Sequence, residues 1–77
     1  MKQYLERKVS KNTRYYLVKL YKNLFGEFVL ERVYGNIAFK RHTGKIIEFF
    51  KNRDNAVEKM KKIIKDKQKK GYEFAKS

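Results

Sequence analysis

The chain has 77 residues, with 21 Lys and Arg against 8 Asp and Glu, so its formal net charge is +13 at neutral pH. It contains no Cys, which excludes disulfides, thiolate metal sites and a cysteine nucleophile. The length predicts one domain over residues 1–77 and excludes a two-domain enzyme with an interlobe cleft. No apolar run reaches the roughly 18 residues of a membrane span, and the first residues lack a secretory apolar segment, so we expect a cytoplasmic protein without a membrane partner.

The excess of cations indicates a polyanionic partner, and nucleic acid is the most abundant polyanion of the cytoplasm. Two other interpretations of the composition stay open. A/T-rich codons also produce lysine-rich proteins, and a lysine-rich face is often only solvated. Charge alone therefore does not identify the partner.

The first fifty residues have the pattern of β-strands. A charged segment at 4–9 predicts an edge strand, because charges on an edge discourage pairing with other chains. In segment 15–22 the even positions Tyr16, Val18 and Leu20 are apolar, and the odd positions are mixed. This alternation predicts a strand with one well-buried face and one partly covered face.

The next segments predict further strands separated by turn residues. After a turn at 23–26, a second strand is expected over 27–34, and Gly35-Asn36 is expected to break it. Residues 37–44 are expected to form a basic loop or a short strand. Residues 45–50 are rich in Ile and Phe and predict another strand.

The pattern changes from strands to a helix after residue 50. Asn52 is a favourable N-cap, and Asp54 in the first turn favours the positive end of the helix dipole. Gly71 is expected to end the helix, and 72–75 to form a short last strand. The sequence thus predicts an α+β domain, an antiparallel sheet of four to five strands with one amphipathic α-helix packed on one face. Apolar residues with a period of 3.6 predict the buried stripe of that helix: Ala56, Val57, Met60, Ile63 and Ile64.

The sequence offers no constellation for catalysis or metal binding. His42 is the one imidazole, and no carboxylate lies near it in the sequence to orient it. The acids are scattered without D-x-D or E-x-x-H spacing, and Gly35 and Gly44 do not form a phosphate-binding glycine motif. We therefore expect no enzyme activity, no cofactor and no metal.

The segment 32–45 combines basic side chains with aromatic rings. Cations bind phosphates, and an exposed ring stacks on a sugar or a base. The segment therefore predicts nucleic-acid contact around Tyr34 and Phe39, although the alternative that these two rings complete the core stays open. The basic residues concerned are Arg32, Lys40, Arg41, His42 and Lys45.

Three blocks of the sequence, by their order and spacing, resemble a WGR domain in its free-standing, bacterial form. The first block is an aromatic pair after a basic residue at the start of a long strand, here within 12–20. The second is a strand that ends in Trp-Gly-Arg in the family and corresponds here to 34–36, Tyr-Gly-Asn. The third runs over 50–72, from an aromatic and a cap through Ala56 and the helical stripe to Gly-Tyr. The resemblance covers about residues 3–75.

The resemblance implies a small antiparallel sheet with one helix and a DNA-binding function. In the poly(ADP-ribose) polymerases, the WGR domain binds DNA ends and breaks, its Trp stacks near a terminal sugar, and basic residues hold the phosphate. Here Tyr34 stands at the Trp, Gly35 matches the Gly, and Lys67 falls near a helix-end Lys that faces the DNA. Asn36 replaces the Arg, so the resemblance does not carry over that residue's role in relaying the DNA signal to neighbouring domains.

The combined prediction is a non-enzymatic nucleic-acid-binding module, with DNA favoured over RNA, that uses phosphate contacts and aromatic stacking. The alternative is a protein-interaction or homodimerisation module that uses the aromatic face of the sheet, because Tyr and Phe are common interface anchors. The predicted nucleic-acid contacts are Arg32, Tyr34, Gly35, Lys40, Arg41, Lys45 and Lys67.

Overall fold

The computed structural model describes residues 1–39 and 43–75. Within these ranges all strand pairs are antiparallel, and the order across the sheet is β4-β3-β2-β1-β5. The α+β class predicted from the sequence is confirmed, and the helix of the described ranges is too short and too polar to cross a membrane. The elements are β1 (Lys2–Val9), β2 (Asn12–Lys22), β3 (Phe28–Asn36), β4 (Gly44–Phe50), α1 (Arg53–Lys69) and β5 (Glu73–Phe74).

Two tight turns set the register of the first three strands. A two-residue turn joins β1 to β2, and its first residue, Ser10, has the positive φ (59°) that such hairpins need. The turn from β2 to β3 is closed by Asn23, whose Oδ1 accepts hydrogen bonds from the backbone N–H groups of Phe25 (3.0 Å) and Glu27 (2.9 Å). Gly26 supplies the positive φ (81°) in that turn. The turn predicted at 23–26 is therefore confirmed.

The core lies between α1 and one face of the sheet, which we call the helix side. Side chains alternate along each strand, so the even positions of β2 and β3 lie on the helix side. The odd positions of these strands lie on the opposite side, which we call the open face. The buried cluster on the helix side consists of Leu5, Tyr16, Val18, Leu20, Leu30, Ala56, Met60 and Ile63.

Both helix ends follow the predicted capping. The Asn52 side chain accepts hydrogen bonds from the backbone N–H groups of Asp54 (2.7 Å) and Asn55 (3.4 Å), which would otherwise lack partners at a helix start. Gly71 follows the C-cap with a positive φ of 98°, which a glycine adopts without steric cost. The helix therefore begins and ends where the sequence signals place it.

Two strand predictions need correction. Strand β3 does not break at Gly35 but continues to Asn36, because β2 starts early enough to pair with both residues through Tyr15 and Arg14. Strand β1 is not an outer strand along its whole length, since β5 pairs with it at Leu5 and Glu6. The edges of the sheet are β4 and β5.

The segment after β3 is a turn where the structure describes it. Phe39 is 65% exposed, so the alternative that its ring completes the core is wrong. Asn36 shapes this turn, because its side chain accepts a hydrogen bond from the backbone N–H of Ala38 at 2.9 Å. The predictions for Lys40, Arg41 and His42 lie outside the described residues.

A matched pair of leucines tests this assignment of the core. Leu30 is fully buried on the helix side, whereas Leu24 in the β2–β3 turn is fully exposed. Leu30→Ala is expected to lower the free energy of unfolding by about 2–5 kcal/mol, because it removes buried methyl groups and leaves a cavity. Leu24→Ala is expected to change it by less than about 0.5 kcal/mol. Urea unfolding followed by circular dichroism measures both, and similar losses for the two variants would contradict the assignment.

Candidate nucleic-acid interface

Three tyrosine rings and one lysine meet on the helix side, where α1 ends. The rings of Tyr16 and Tyr34 are stacked, with centroids 5.5 Å apart and planes 12° from parallel. The ring of Tyr72 meets Tyr16 edge-on at 6.0 Å. The ammonium of Lys67 lies over Tyr16, 4.5 Å from the ring centroid, and 5.8 Å from that of Tyr72. We call these four residues the tyrosine cluster.

The surroundings of the tyrosine cluster shift the pKa values of two of its members. Burial lowers the pKa of the Lys67 ammonium below its usual 10.5, and the nearby charges of Lys70 and Arg32 lower it further, against a smaller opposing effect of Asp66. Burial also raises the pKa of the Tyr16 hydroxyl above 10.0, an effect that the neighbouring Arg32 partly offsets. A positive charge at Lys67 is therefore poorly compensated within the protein.

Two glycines make room for the ring of Tyr34 and for the backbone of Thr43. The ring leans over Gly44, its neighbour on β4, where an added β-carbon would overlap the phenol carbon that bears the hydroxyl. A β-carbon on Gly35 would lie 2.8 Å from the backbone nitrogen of Thr43. That nitrogen donates a hydrogen bond to the carbonyl of Tyr34 at 2.8 Å. Gly35 thus has a packing role, because it lets the chain close against β3.

Arg32 lies on the helix side beneath the tyrosine cluster, but it is engaged within the protein. Its Nη2 donates a hydrogen bond to Oε1 of Glu48 at 2.8 Å, and its side chain is 18% exposed. Its Nε is buried without a hydrogen-bond partner among the described residues. Arg32 is therefore placed to hold β3 against β4, and little of it is open to an incoming phosphate.

A pair of arginines lies next to the tyrosine cluster. Arg7 and Arg14 are directly opposite each other on β1 and β2, and their positions place both on the helix side. The Arg7 side chain lies against Gly71, where a β-carbon would be 3.3 Å from its Nε. In residues 1–39 and 43–75, neither arginine has a carboxylate oxygen within 4.0 Å. We call Arg7 and Arg14 the arginine pair.

The structure separates Lys45 from Arg32, Tyr34 and Lys67. Lys45 is paired with Val33 in the sheet and lies on the open face, where its Nζ is 3.9 Å from Oε1 of Glu31. Tyr34 and Lys67 meet on the helix side, with Arg32 beneath them. The expectation that Lys45 gathers with Arg32 around Tyr34 is therefore wrong, because neighbouring positions on a strand point to opposite faces.

The model of one family, described as the WGR domain, matches residues 1–77. The chain belongs to the WGR domain family. A WGR domain is a small binding module of the nucleic-acid-binding type and is not catalytic by itself. No curated protein and no solved structure matched the chain significantly.

The candidate interface of this WGR domain contains residues that the sequence did not predict. Arg7 and Arg14 face each other because of the register between β1 and β2. A two-residue turn at 10–11 sets this register, and the sequence prediction did not include that turn. Tyr72 was expected in a short strand, and its contact with Tyr16 arises because the chain turns back at Gly71. In the described ranges no group of three or more His, Cys, Asp or Glu side chains could hold a metal ion.

The lowered pKa of Lys67 can be measured. We expect the pKa of its ammonium to lie below the usual value of 10.5, because burial and neighbouring cations disfavour the charged form. Since the unfolded chain then binds the proton more tightly, Lys67 contributes stability that increases as pH rises through this window. NMR titration of the Lys67 Cε resonance gives the midpoint, and a bound polyanion should move it upward. A midpoint at or above 10.5 in the free protein would contradict the described surroundings.

Proposed function

We propose that this WGR domain is a non-enzymatic module that binds DNA in preference to RNA, through the helix side at the end of α1. The observation that carries the proposal is the arginine pair. Like charges directly opposite each other on antiparallel strands repel, and no carboxylate oxygen of the described residues lies within 4.0 Å of either guanidinium group. A phosphate between the two guanidinium groups would remove the repulsion and accept charge-assisted hydrogen bonds from both.

The distribution of charge supports the same side of the molecule. Residues 51–70, which contain α1 and its flanks, carry nine cations and three acids. The open face is nearly neutral, with the cations Lys2, Lys8, Lys19 and Lys45 and the carboxylates Glu6, Glu31 and Glu73 at its strand positions. A polyanion is therefore attracted to the helix side more strongly than to the open face.

The tyrosine cluster adds a stacking contact to these phosphate contacts. Tyr34 has one ring face against Tyr16, so its remaining exposed part is proposed to lie against a sugar or a terminal base. Lys67 supplies a charge that a phosphate would stabilise. Lys40 and Arg41, which follow β3 in the sequence, are proposed to add further phosphate contacts. DNA is favoured over RNA because of the resemblance to the WGR domains of the poly(ADP-ribose) polymerases.

The salt dependence of binding tests the phosphate contacts. If about 4–6 phosphates are engaged, a plot of log K against log salt concentration should have a slope of about −3.5 to −5.5 on duplex DNA. Arg7→Gln/Arg14→Gln should flatten the slope by about two, and so should Lys40→Ala/Arg41→Ala. The matched control is Lys2→Gln/Lys8→Gln, which removes the same charge from the open face and should leave the slope nearly unchanged.

Fluorescence anisotropy with blunt duplex, nicked duplex, single-stranded DNA and RNA, each at several salt concentrations, gives these slopes and the order of preference. Equal flattening by the arginine variant and its control would remove the arginine pair from the site. Tighter binding of RNA than of every DNA probe would overturn the preference for DNA.

Replacing Tyr34 separates stacking from charge. Tyr34→Ala should weaken binding to DNA ends and single strands by about tenfold, because one stacked base or sugar contributes about 1–3 kcal/mol, while the salt slope stays the same. Tyr34→Phe keeps the ring and should retain most of the affinity. Tyr21→Ala, which removes a ring from the open face, is the control. Unchanged affinity of a folded Tyr34→Ala protein would rule out a stacking role.

A further inference from the structure

The open face exposes a set of apolar side chains that no other element of the described ranges covers. Phe49 is 60% exposed, and Tyr21 and Ile47 are also exposed. Leu17 and Val33 are half-buried and directly opposite each other on the two central strands. An exposed patch of aromatic and aliphatic side chains is typical of the core of a protein–protein interface.

Three charged side chains of the open face form a compact group around Glu31, beside the row of Leu17 and Val33. Glu31 is only 8% exposed, and its carboxylate lies 3.8 Å from the ammonium of Lys19 and 3.9 Å from that of Lys45. The Tyr21 hydroxyl donates a hydrogen bond to the same carboxylate at 3.1 Å. Although the chain carries +13, this face is close to neutral. Two copies of the protein repel each other least when they approach through their open faces.

We propose that the open face binds a second copy of this chain, with the two sheets packed face to face about a two-fold axis. The axis runs parallel to the strands between β2 and β3, so that β3 of each copy lies over β2 of the other. Because Leu17 and Val33 share a row within one sheet, this operation brings Leu17 against Val33 of the partner subunit, next to the axis. The centre of the interface is therefore apolar and self-complementary.

The same axis matches opposite charges. Lys19 and Glu31 form the next row, so Lys19 of each copy faces Glu31 of the partner subunit. Lys45 shares a row with Tyr4, so after the rotation Lys45 faces Tyr4 of the partner subunit. Glu6 of the partner subunit is two residues further along the same strand, and Glu6 is paired with Glu73 within its own sheet. A two-fold axis that lies in the interface but runs perpendicular to the strands does not place Lys19 opposite Glu31 of the partner subunit in this way.

The size of the face sets the strength of the dimer. Four strands about 4.8 Å apart and six residues long span about 20 Å by 20 Å, so two faces together bury on the order of 800–1,000 Å². This area is at the lower end for specific interfaces, so the dimer is expected to be weak and concentration-dependent. Both helix sides point outward in it, which leaves the proposed DNA-binding surfaces free.

Sedimentation equilibrium without nucleic acid tests the proposal, from about 10 μM to about 1 mM protein. The wild-type average mass should rise toward that of a dimer. Raising the salt from about 0.05 to about 0.5 M should strengthen association, because it screens the repulsion between the cationic copies. DNA binding weakens with salt, so failure of this proposal and failure of the proposed function are distinguishable.

Leu17→Lys places a cation at the axis and should weaken association at least tenfold. Leu17→Thr keeps a strand-forming residue without adding charge and should weaken it by a smaller factor. The matched control is Leu24→Lys, which adds the same charge at a fully exposed apolar residue of the β2–β3 turn and should dimerise like the wild type. A wild-type protein that stays monomeric at about 1 mM in high salt would overturn the proposal. So would folded Leu17→Lys or Leu17→Thr proteins that associate like the wild type.

Discussion

The packing of the α1 stripe against one face of the sheet is the contact on which the other features depend. Ala56, Met60 and Ile63 are buried against the even positions of β2 and β3, and each large apolar side chain buried in this way contributes about 1.5–3 kcal/mol. Because a 17-residue helix covers one face of the sheet, it leaves the other open and turns its own lysines to solvent. The same packing brings the end of the helix, with Lys67, over the ring of Tyr16.

Local signals in the sequence predicted the helix and most of the strands. The features that the sequence did not predict depend on the register between strands that are distant in the sequence. Asn52 and Gly71 determine the helix ends through their own conformations, and alternation within β2 is visible without any partner strand. In contrast, the continuation of β3 through Gly35 depends on where β2 begins, and the position of Arg7 opposite Arg14 depends on the hairpin turn. The pairing of β5 with β1 depends on both.

The sequence predicted only part of the candidate site, again because it does not show the register between strands. Grouping residues by nearness in the sequence joined Lys45 to Tyr34, although strand alternation separates them onto two faces. Arg32 was expected to be open to phosphate, but its partner Glu48 lies 16 residues away and could not be inferred locally. The family resemblance selected Tyr34 and Lys67, which do lie on the helix side. The result is a domain with a basic helix side and a nearly neutral open face. The two binding reactions proposed for these surfaces should respond to salt in opposite directions.

The most direct test of this division is a map of amide chemical-shift changes when a short blunt DNA duplex is added to the protein. The account predicts that the largest changes fall on the helix side around Arg7, Arg14 and Lys67 and continue to Gly71. Residues at the centre of the open face, such as Val33, should change little at a protein concentration too low for association. Changes concentrated on the open face, with none around the arginine pair, would contradict the account.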